Sequence, residues 1–488
     1  MNQHSSDKNI LCKIALNAMS SRGMESEFPP PEIAQLAKII GPAADNDADI
    51  RDLTNLPWCS IDNDDSMDLD QLSVSEKLSN GSVKIYVAIA DVDALVKQGS
   101  PIDLHAKNNT TSVYTGVAIF PMLPEKLSTD LTSLAQDQPR LAIIIEYQVS
   151  PTGNLSNGTV YRGRVKNQAK LAYNATAAWL EGKGHLPETI AKVRGLDEQL
   201  KTQDEVAQNL RRVRHQHGAL ELETNEFRAV LDDMTVVDLE RETHNRAKEL
   251  IEDLMIAANE TTSRFLESND YPSLQRVVKS PERWNKIVDV AKTWGETLPI
   301  EADCIALSQF LSKARTRDPE RFPDLSLTVV KLLGRGEYIA LDPGEKPIGH
   351  FGLAVGDYTH STAPNRRYPD LITQRIIKAA LKKMKCPYSS IELKSLATHC
   401  TEQENASDRV ERQVRKSAAA LFLAPKIGQS FDAIVTGVSQ AGTWARVLSP
   451  PVEGKVVHGS HGLDVGDRVR VKLTSVNVNE GWIDFVRA

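Results

Sequence analysis

The sequence predicts an α+β protein: a mixed β-sheet packed with helices, a short helical segment ahead of it and a small β-barrel behind it. Three observations carry this prediction. Strand-like alternation dominates from Trp58 to Arg164, and helical periodicity dominates from Ala175 to Trp294. From Ile427 to Ala488 the chain breaks into short β runs punctuated by glycine.

The elements follow in order. Ile10 to Met19 has helical apolar spacing, and Pro29-Pro30-Pro31 precedes a second helix over Glu32 to Ile40. Asn46-Asp47-Ala48-Asp49 reads as a linker. The clearest strands are Val83 to Ala90 and Leu141 to Gln148. Helices are predicted over Ala175 to Leu180, Pro187 to His217, Thr243 to Glu267 and Pro281 to Trp294, then near Tyr368 to Lys383 and Ser390 to Ala420. The terminal runs are Phe431 to Val435, Thr443 to Val447, Gly454 to Val457, Arg468 to Leu473 and Trp482 to Phe485. Five short strands at this spacing have the layout of an OB barrel, with another small barrel lacking a ligand as the alternative. No internal repeat or low-complexity segment is present.

A chain of 488 residues is long enough for several domains, each with its own core. The apolar fraction of 41% and charged fraction of 25% are those of an ordinary globular protein. The start, Met1-Asn2-Gln3-His4-Ser5-Ser6-Asp7, lacks the layout of a signal peptide, and no apolar run approaches the roughly 20 residues of a membrane span. Cys12, Cys59, Cys304, Cys386 and Cys400 are odd in number and scattered without zinc-ligand spacing, which predicts reduced thiols in a cytoplasmic protein. A net charge of −7 does not suggest a nucleic-acid coat, but binding depends on local fields. Much of the acidity is concentrated: nine aspartates lie between Asp45 and Asp70, with Arg51 the only basic residue among them.

The densest stretch runs from Ser60 to Leu72, with five aspartates between Asp62 and Asp70 beside apolar Ile61, Leu69 and Leu72. Carboxylates this close raise one another's proton affinity, and a hard cation such as magnesium or manganese would relieve them. A solvated acidic loop is the alternative. A calcium EF-hand fits poorly, because Met67 stands at the turn-glycine position and Ser73 at the closing glutamate. Three other stretches can carry chemistry. His360 to Asp370 places Arg366 and Arg367 in a polar turn before a helix, suited either to phosphate oxygens or to surface ion pairs. Tyr114 sits in a loop, where it either stacks on a base or packs the loop onto the core. Glu252 and Asp253 edge a helix whose Leu250, Leu254, Ala257 and Ala258 form an apolar face. His350 and His360 lack metal-ligand spacing and read as structural.

Taken together and in order, these blocks resemble the ribonuclease II / ribonuclease R family, whose catalytic unit is the RNB domain. The matching blocks are Ser60 to Leu72, Ala88 to Val92, Gly99 to Leu134, Ala169 to Tyr173, Gly218 to Leu220, Ile251 to Asn259 and Gly349 to Arg375. The terminal runs resemble the ribosomal-protein S-one type of OB module. The resemblance implies four parts: an N-terminal helical segment over 1–50, an RNB catalytic domain over 51–385, a helical connector over 386–424 and an RNA-binding OB domain over 425–488. It implies a hydrolase, dependent on magnesium or else manganese, that shortens single-stranded RNA from the 3′ end and releases nucleoside 5′-monophosphates. It names no protein partner.

The same resemblance assigns roles. Asp62, Asp68 and Asp70 fall on metal-site positions, with Asp70 critical for cleavage, and Gln71 stands where the family usually has a fourth aspartate. Arg366 falls on the arginine that steadies the transition state, and Arg367 assists in holding the phosphate. Tyr114 matches the aromatic that clamps the terminal bases. Tyr173 and Glu252 fall on positions tied to ribose preference. Ser361 and Asn365 replace more usual aromatic and aliphatic residues. About fifty residues ahead of the RNB blocks are too few for the cold-shock domains of larger members, so the expectation is weaker RNA binding, mainly through the channel and the barrel. Gln71 keeps alive a catalytically weakened RNA-binding or regulatory protein, and an internally cutting or DNA-directed nuclease is a third class.

Overall fold

The computed structural model describes residues 6–45, 47–223, 227–232, 234–241 and 244–488. Of the expectations above, Met1 to Ser5, Asn46 in the linker and Thr243 at the head of a helix lie outside the described residues.

Two helices open the chain, α1 (Asp7–Ser20) and α2 (Pro30–Lys38). A seven-stranded sheet follows, built from β1 (Arg51–Asp52), β2 (Cys59–Asp62), β3 (Gln71–Lys77) and β4 (Val83–Ala90) with three later strands. Between them come α3 (Pro101–Asn109) and the small hairpin β5 (Val113–Tyr114) and β6 (Ile119–Phe120). The sheet is completed by β7 (Pro139–Val149), β8 (Leu155–Lys166) and β9 (Ala169–Ala172) in the order β1-β8-β7-β4-β3-β2-β9. It is mixed as expected: β2 pairs with β9 and β1 with β8 in parallel, and the other neighbours are antiparallel. The continuous apolar run Leu141 to Ile145 is buried throughout, because β7 is a central strand covered on both faces.

Helices α4 (Tyr173–Leu180), α5 (Glu188–Ala191), α6 (Leu196–Gln216) and α7 (Arg246–Ser268) come next. The single helix predicted over Pro187 to His217 is two, broken at Gly195, whose φ of 77° is left-handed and leaves the helical region. The hairpin β10 (Phe227–Asp232) and β11 (Thr235–Arg241) stands between α6 and α7 where no strand was predicted. Strands β12 (Ser273–Val277) and β13 (Glu337–Leu341) pair across an insert of α8 (Trp284–Thr293), α9 (Cys304–Arg317) and α10 (Phe322–Leu333). That insert has a small core of its own around Trp284, Phe310 and Phe322.

Helix α11 (Tyr368–Leu381) follows the arginine turn, with Pro369 in its first turn. Helix α12 (Ser390–Leu423) starts with a capping box between Ser389 and Glu392. It leads into a closed barrel of β14 (Ser430–Ser439), β15 (Gly442–Val447), β16 (Glu453–His458), β17 (Arg468–Asn477) and β18 (Trp482–Arg487). All five predicted barrel strands are present. Alternation in β17 buries Val469, Val471 and Leu473 while their neighbours face out.

The main core lies between the sheet and α4, α6, α7, α11 and α12. A second core joins α1, the β5–β6 and β10–β11 hairpins, the far end of α12 and the barrel. No helix among the described residues is long and apolar enough to cross a membrane, and all five cysteines are free thiols.

Candidate active site

The aspartate run is a crossing loop. Strand β2 ends at Asp62, a turn spans the next residues, and β3 begins at Gln71. The loop is pinned to the body: Leu69 N–H donates to Ser133 Oγ at 3.1 Å, that hydroxyl donates to Met67 O at 2.7 Å, and Ala90 N–H donates to Asp70 O at 3.0 Å. Such pinning selects the aspartates. Asp64 and Asp65 are exposed, Asp62 and Asp68 are half-buried, and Asp70 is buried.

The register of the sheet brings the next residue in. Asp62 pairs with Ala172 across the parallel β2–β9 ladder, so Tyr173, the first residue of α4, sits beside it. From below comes α7, whose Ile251, Glu252, Met255, Ile256 and Asn259 share one face at helical spacing. The adjacent Asp253 points elsewhere, buried against Arg214 and Arg211. The arginine turn before α11 closes the far side, and Tyr114 comes from β5.

All nine residues selected from the sequence line one cavity of about 880 Å³: Asp62, Asp68, Asp70, Gln71, Tyr114, Tyr173, Glu252, Arg366 and Arg367. A cleft of about 940 Å³ elsewhere has none of them; its Arg162, Arg375 and Lys378 are already paired with aspartates.

The electrostatics centre on Asp70. Its Oδ1 accepts the Asn365 backbone N–H at 2.9 Å, and its Oδ2 accepts Arg366 Nε at 3.3 Å. Burial pushes the carboxyl up to about 7, with Arg366 and Asn365 opposing it only in part. Burial also raises Asp62, against hydrogen bonds from Asn63 N–H at 2.7 Å and Ser66 Oγ at 2.9 Å. Tyr114 Oη donates to Asp68 Oδ2 at 2.9 Å, while burial and the Asp68 charge lift the phenol well above its ordinary value. Burial and the Asp62 charge do the same to Tyr173.

The two arginines differ. Arg366 is 43% exposed and can reach a ligand, whereas Arg367 is 21% exposed and tied to the fully buried Asp370 at 2.7 Å. Burial disfavours the Arg367 charge, but Asp370 outweighs it and the guanidinium stays charged.

The donor set fits a hard cation in kind: three carboxylates and an amide oxygen on one cavity, two of the carboxylates under-compensated by burial. Among the described residues, no group of three or more histidine, cysteine, aspartate or glutamate side chains is placed to hold a metal ion.

Several cavity residues escaped the sequence reading. Asn259 Oδ1 accepts both N–H and Oγ of Ser361 at 2.9 Å, which holds the turn leading to Arg366. Its place three and four residues beyond Ile256 and Met255 on the same helical face was a usable signal. Arg228, Glu240 and His244 reach the cavity from or beside the β10–β11 hairpin, and nothing in their spacing marks them.

Comparison with known proteins completes the picture. Residues 50–383 match the RNB domain model, and residues 429–488 match the RNase II-type exonuclease C-terminal S1 domain. Ribonuclease R of Escherichia coli is 30% identical over 471 residues, covering 89% of this chain and 57% of that protein. Ribonuclease R of Thermotoga maritima is 30% identical over 498 residues, covering 94% of this chain and 68% of that protein. The chain thus spans little more than half the length of the first curated relatives it matches. The apo structure of Mycoplasma genitalium RNase R superposes with a TM-score of 0.87 at 23% identity, covering 98% of this chain and 78% of that one.

Proposed function

The chain belongs to the RNB-domain family, and on that premise we propose that it is an exoribonuclease that hydrolyses single-stranded RNA from its 3′ end, releasing nucleoside 5′-monophosphates. One observation carries the reading. Asp70, Asp68, Asp62 and Arg366 share a single cavity with Tyr114, Tyr173 and Glu252, so phosphate chemistry and nucleoside recognition meet in one place.

The contacts support these roles. Asn365 N–H holds Oδ1 of Asp70, which leaves Oδ2 to exchange Arg366 for the reacting centre. The half-exposed Arg366 has further N–H donors for the scissile phosphate, where a fixed guanidinium favours the charge that builds in the transition state. Arg367, locked to Asp370, sets the shape of the turn and adds positive field. Tyr114 offers its ring to the terminal base while Asp68 holds its hydroxyl; stacking of this kind tolerates any sequence. Glu252 and Tyr173 can hydrogen-bond a ribose 2′-hydroxyl and so disfavour DNA. Magnesium, or manganese in its place, is the cofactor we assign to Asp62, Asp68 and Asp70 with Gln71 beside them, supplying Lewis-acid charge next to the phosphate when bound.

In this reading residues 51–385 are the catalytic domain and 386–424 the connector. Residues 425–488 form the RNA-binding barrel, 1–50 are the N-terminal helical segment, whose α1 packs on the connector, and the protein works in the cytoplasm. The test is a time course on 5′-labelled single-stranded RNA, in magnesium and in EDTA, for the wild type and Asp70→Asn. Magnesium-dependent shortening from the 3′ end, absent in Asp70→Asn, is the expected result. RNA that is bound but left intact in magnesium would favour the second reading, a weakened regulatory RNA binder. That reading draws on Gln71, a neutral amide lining the cavity next to Asp70, and a large gain of activity in Gln71→Asp would support it.

A further inference from the structure

Tyr114 is held at both ends. Its hydroxyl donates to Asp68 at 2.9 Å, and its backbone N–H donates to Glu411 Oε1 at 3.0 Å. Glu411 lies on α12, 297 residues away in sequence, and the same Oε1 also accepts Ser407 Oγ at 3.3 Å. Val410 and Val414 flank Glu411 along that helix, fully buried in the cluster that holds Val113, Val117 and Phe120 of the Tyr114 hairpin and its turn. Helix α12 then runs on into the barrel. On the other side of Tyr114, Ser112 N–H donates to Arg366 O at 3.0 Å and Tyr368 N–H donates to Thr110 O at 2.8 Å. The short strand that carries the ring is therefore stretched between the arginine turn and α12, and Glu411 is the side chain that receives its backbone.

We propose that Glu411 is a positioning residue for the Tyr114 platform, through which the helix bearing the barrel sets the grip on the 3′-terminal base. The inference rests on the exoribonuclease reading for what Tyr114 grips, and on geometry for the rest. Tyr114 is 38% exposed, so without an acceptor at Glu411 its N–H passes to water; what is lost is the tie between the strand and α12, and the strand is free to shift. The ring then leaves the base it should cover, while Asp70 and Arg366 keep their own contacts.

The experiment uses the full chain carrying Asp70→Asn, which binds without cleaving, and a single-stranded RNA with 2-aminopurine as its 3′-terminal base. Stacking on Tyr114 quenches the probe. Glu411→Ala should relieve most of that quenching, and Glu411→Gln, which keeps an amide oxygen as acceptor, should restore it. In the Tyr114→Ala background, Glu411→Ala should change nothing further. In the otherwise native chain, Glu411→Ala should raise KM for a short oligonucleotide about fivefold with kcat little changed, as expected when part of one stacking contact is lost. Glu411→Met fills the same volume without accepting a hydrogen bond and replaces the alanine variant if that one does not fold. The proposal is overturned if the alanine or methionine variant quenches like the parent, if its loss adds in full to that of Tyr114→Ala, or if glutamine fails to restore the signal. A native chain that binds RNA and never shortens it overturns the exoribonuclease reading alone, because the quenching comparison needs no cleavage.

Discussion

Arg366 shares Asp70 with the backbone of its neighbour Asn365, so one short turn both anchors the buried carboxylate and supplies a counter-charge. Substituting Arg366 by alanine should therefore lower kcat by about 10²–10³-fold, the usual worth of a donor aimed at developing transition-state charge. Arg366→Lys should recover part of this, since it keeps the charge and loses the planar fork; single-turnover rates on saturating RNA measure both. His350 illustrates a structural residue with a pH signature. Its Nδ1 accepts the Leu353 N–H at 3.1 Å, and its ring packs edge-on to Tyr358. Burial, then the nearby Arg276 charge, pull its pKa from the ordinary 6.5 down to about 4. A folded value below the unfolded one means that the neutral ring stabilises the fold at and above pH 6.5, and that this contribution is lost as pH falls from 6.5 through 4. Melting temperatures across that window should fall more steeply for the wild type than for His350→Phe; parallel slopes would show that His350 is not the group titrating. His350 and His360, read from the sequence as structural, are half-buried and pack edge-on against Tyr358, His360 also against Tyr338.

Among the elements, α12 has the most to hold. Its amino end is fixed by the Ser389–Glu392 capping box, its middle packs on α1 and receives Tyr114, and its far end meets the barrel. Ser389→Ala removes the acceptor for the Glu392 N–H at 3.3 Å and should cost about 1 kcal/mol, read as a lower urea midpoint with an unchanged slope. Which elements were legible depended on how they are buried. β7 and β17 show clear apolar patterns because one is buried on both faces and the other on alternate residues. β10 was missed because no alternation exists to be read: its residues are half-buried or exposed along its whole length. α9 did carry a signal, with Leu307, Phe310, Leu311 and Ala314 buried at helical spacing. Its packing is local to the insert, so it adds nothing to the family blocks on either side.

At the scale of the molecule, the insert and the barrel are joined by a fork. Arg446 on β15 donates to both carboxylate oxygens of Asp324 on α10, at 3.0 and 2.8 Å, with 11% and 15% of the side chains exposed. Arg446→Ala leaves a mostly buried carboxylate unpaired and should cost about 3 kcal/mol, whereas replacing both partners by apolar residues should cost far less. Limited proteolysis around residues 424–430 would register the loosened barrel, and equal sensitivity of the single and double variants would contradict the pairing. The sequence by itself determined the α+β class, the five barrel strands and which nine side chains to look for in one cavity, because those follow from local periodicity and from short motifs recognisable wherever they fall. Their assembly was decided by tertiary structure. Asp70 and Arg366 meet across 296 positions of sequence, and Tyr114 reaches Glu411 across 297. Likewise Tyr173 stands beside Asp62 only because β9 pairs in parallel with β2. The desolvation that raises Asp70 is a property of the closed cavity and not of the aspartate run, which is why five similar aspartates in one short loop end in such different surroundings.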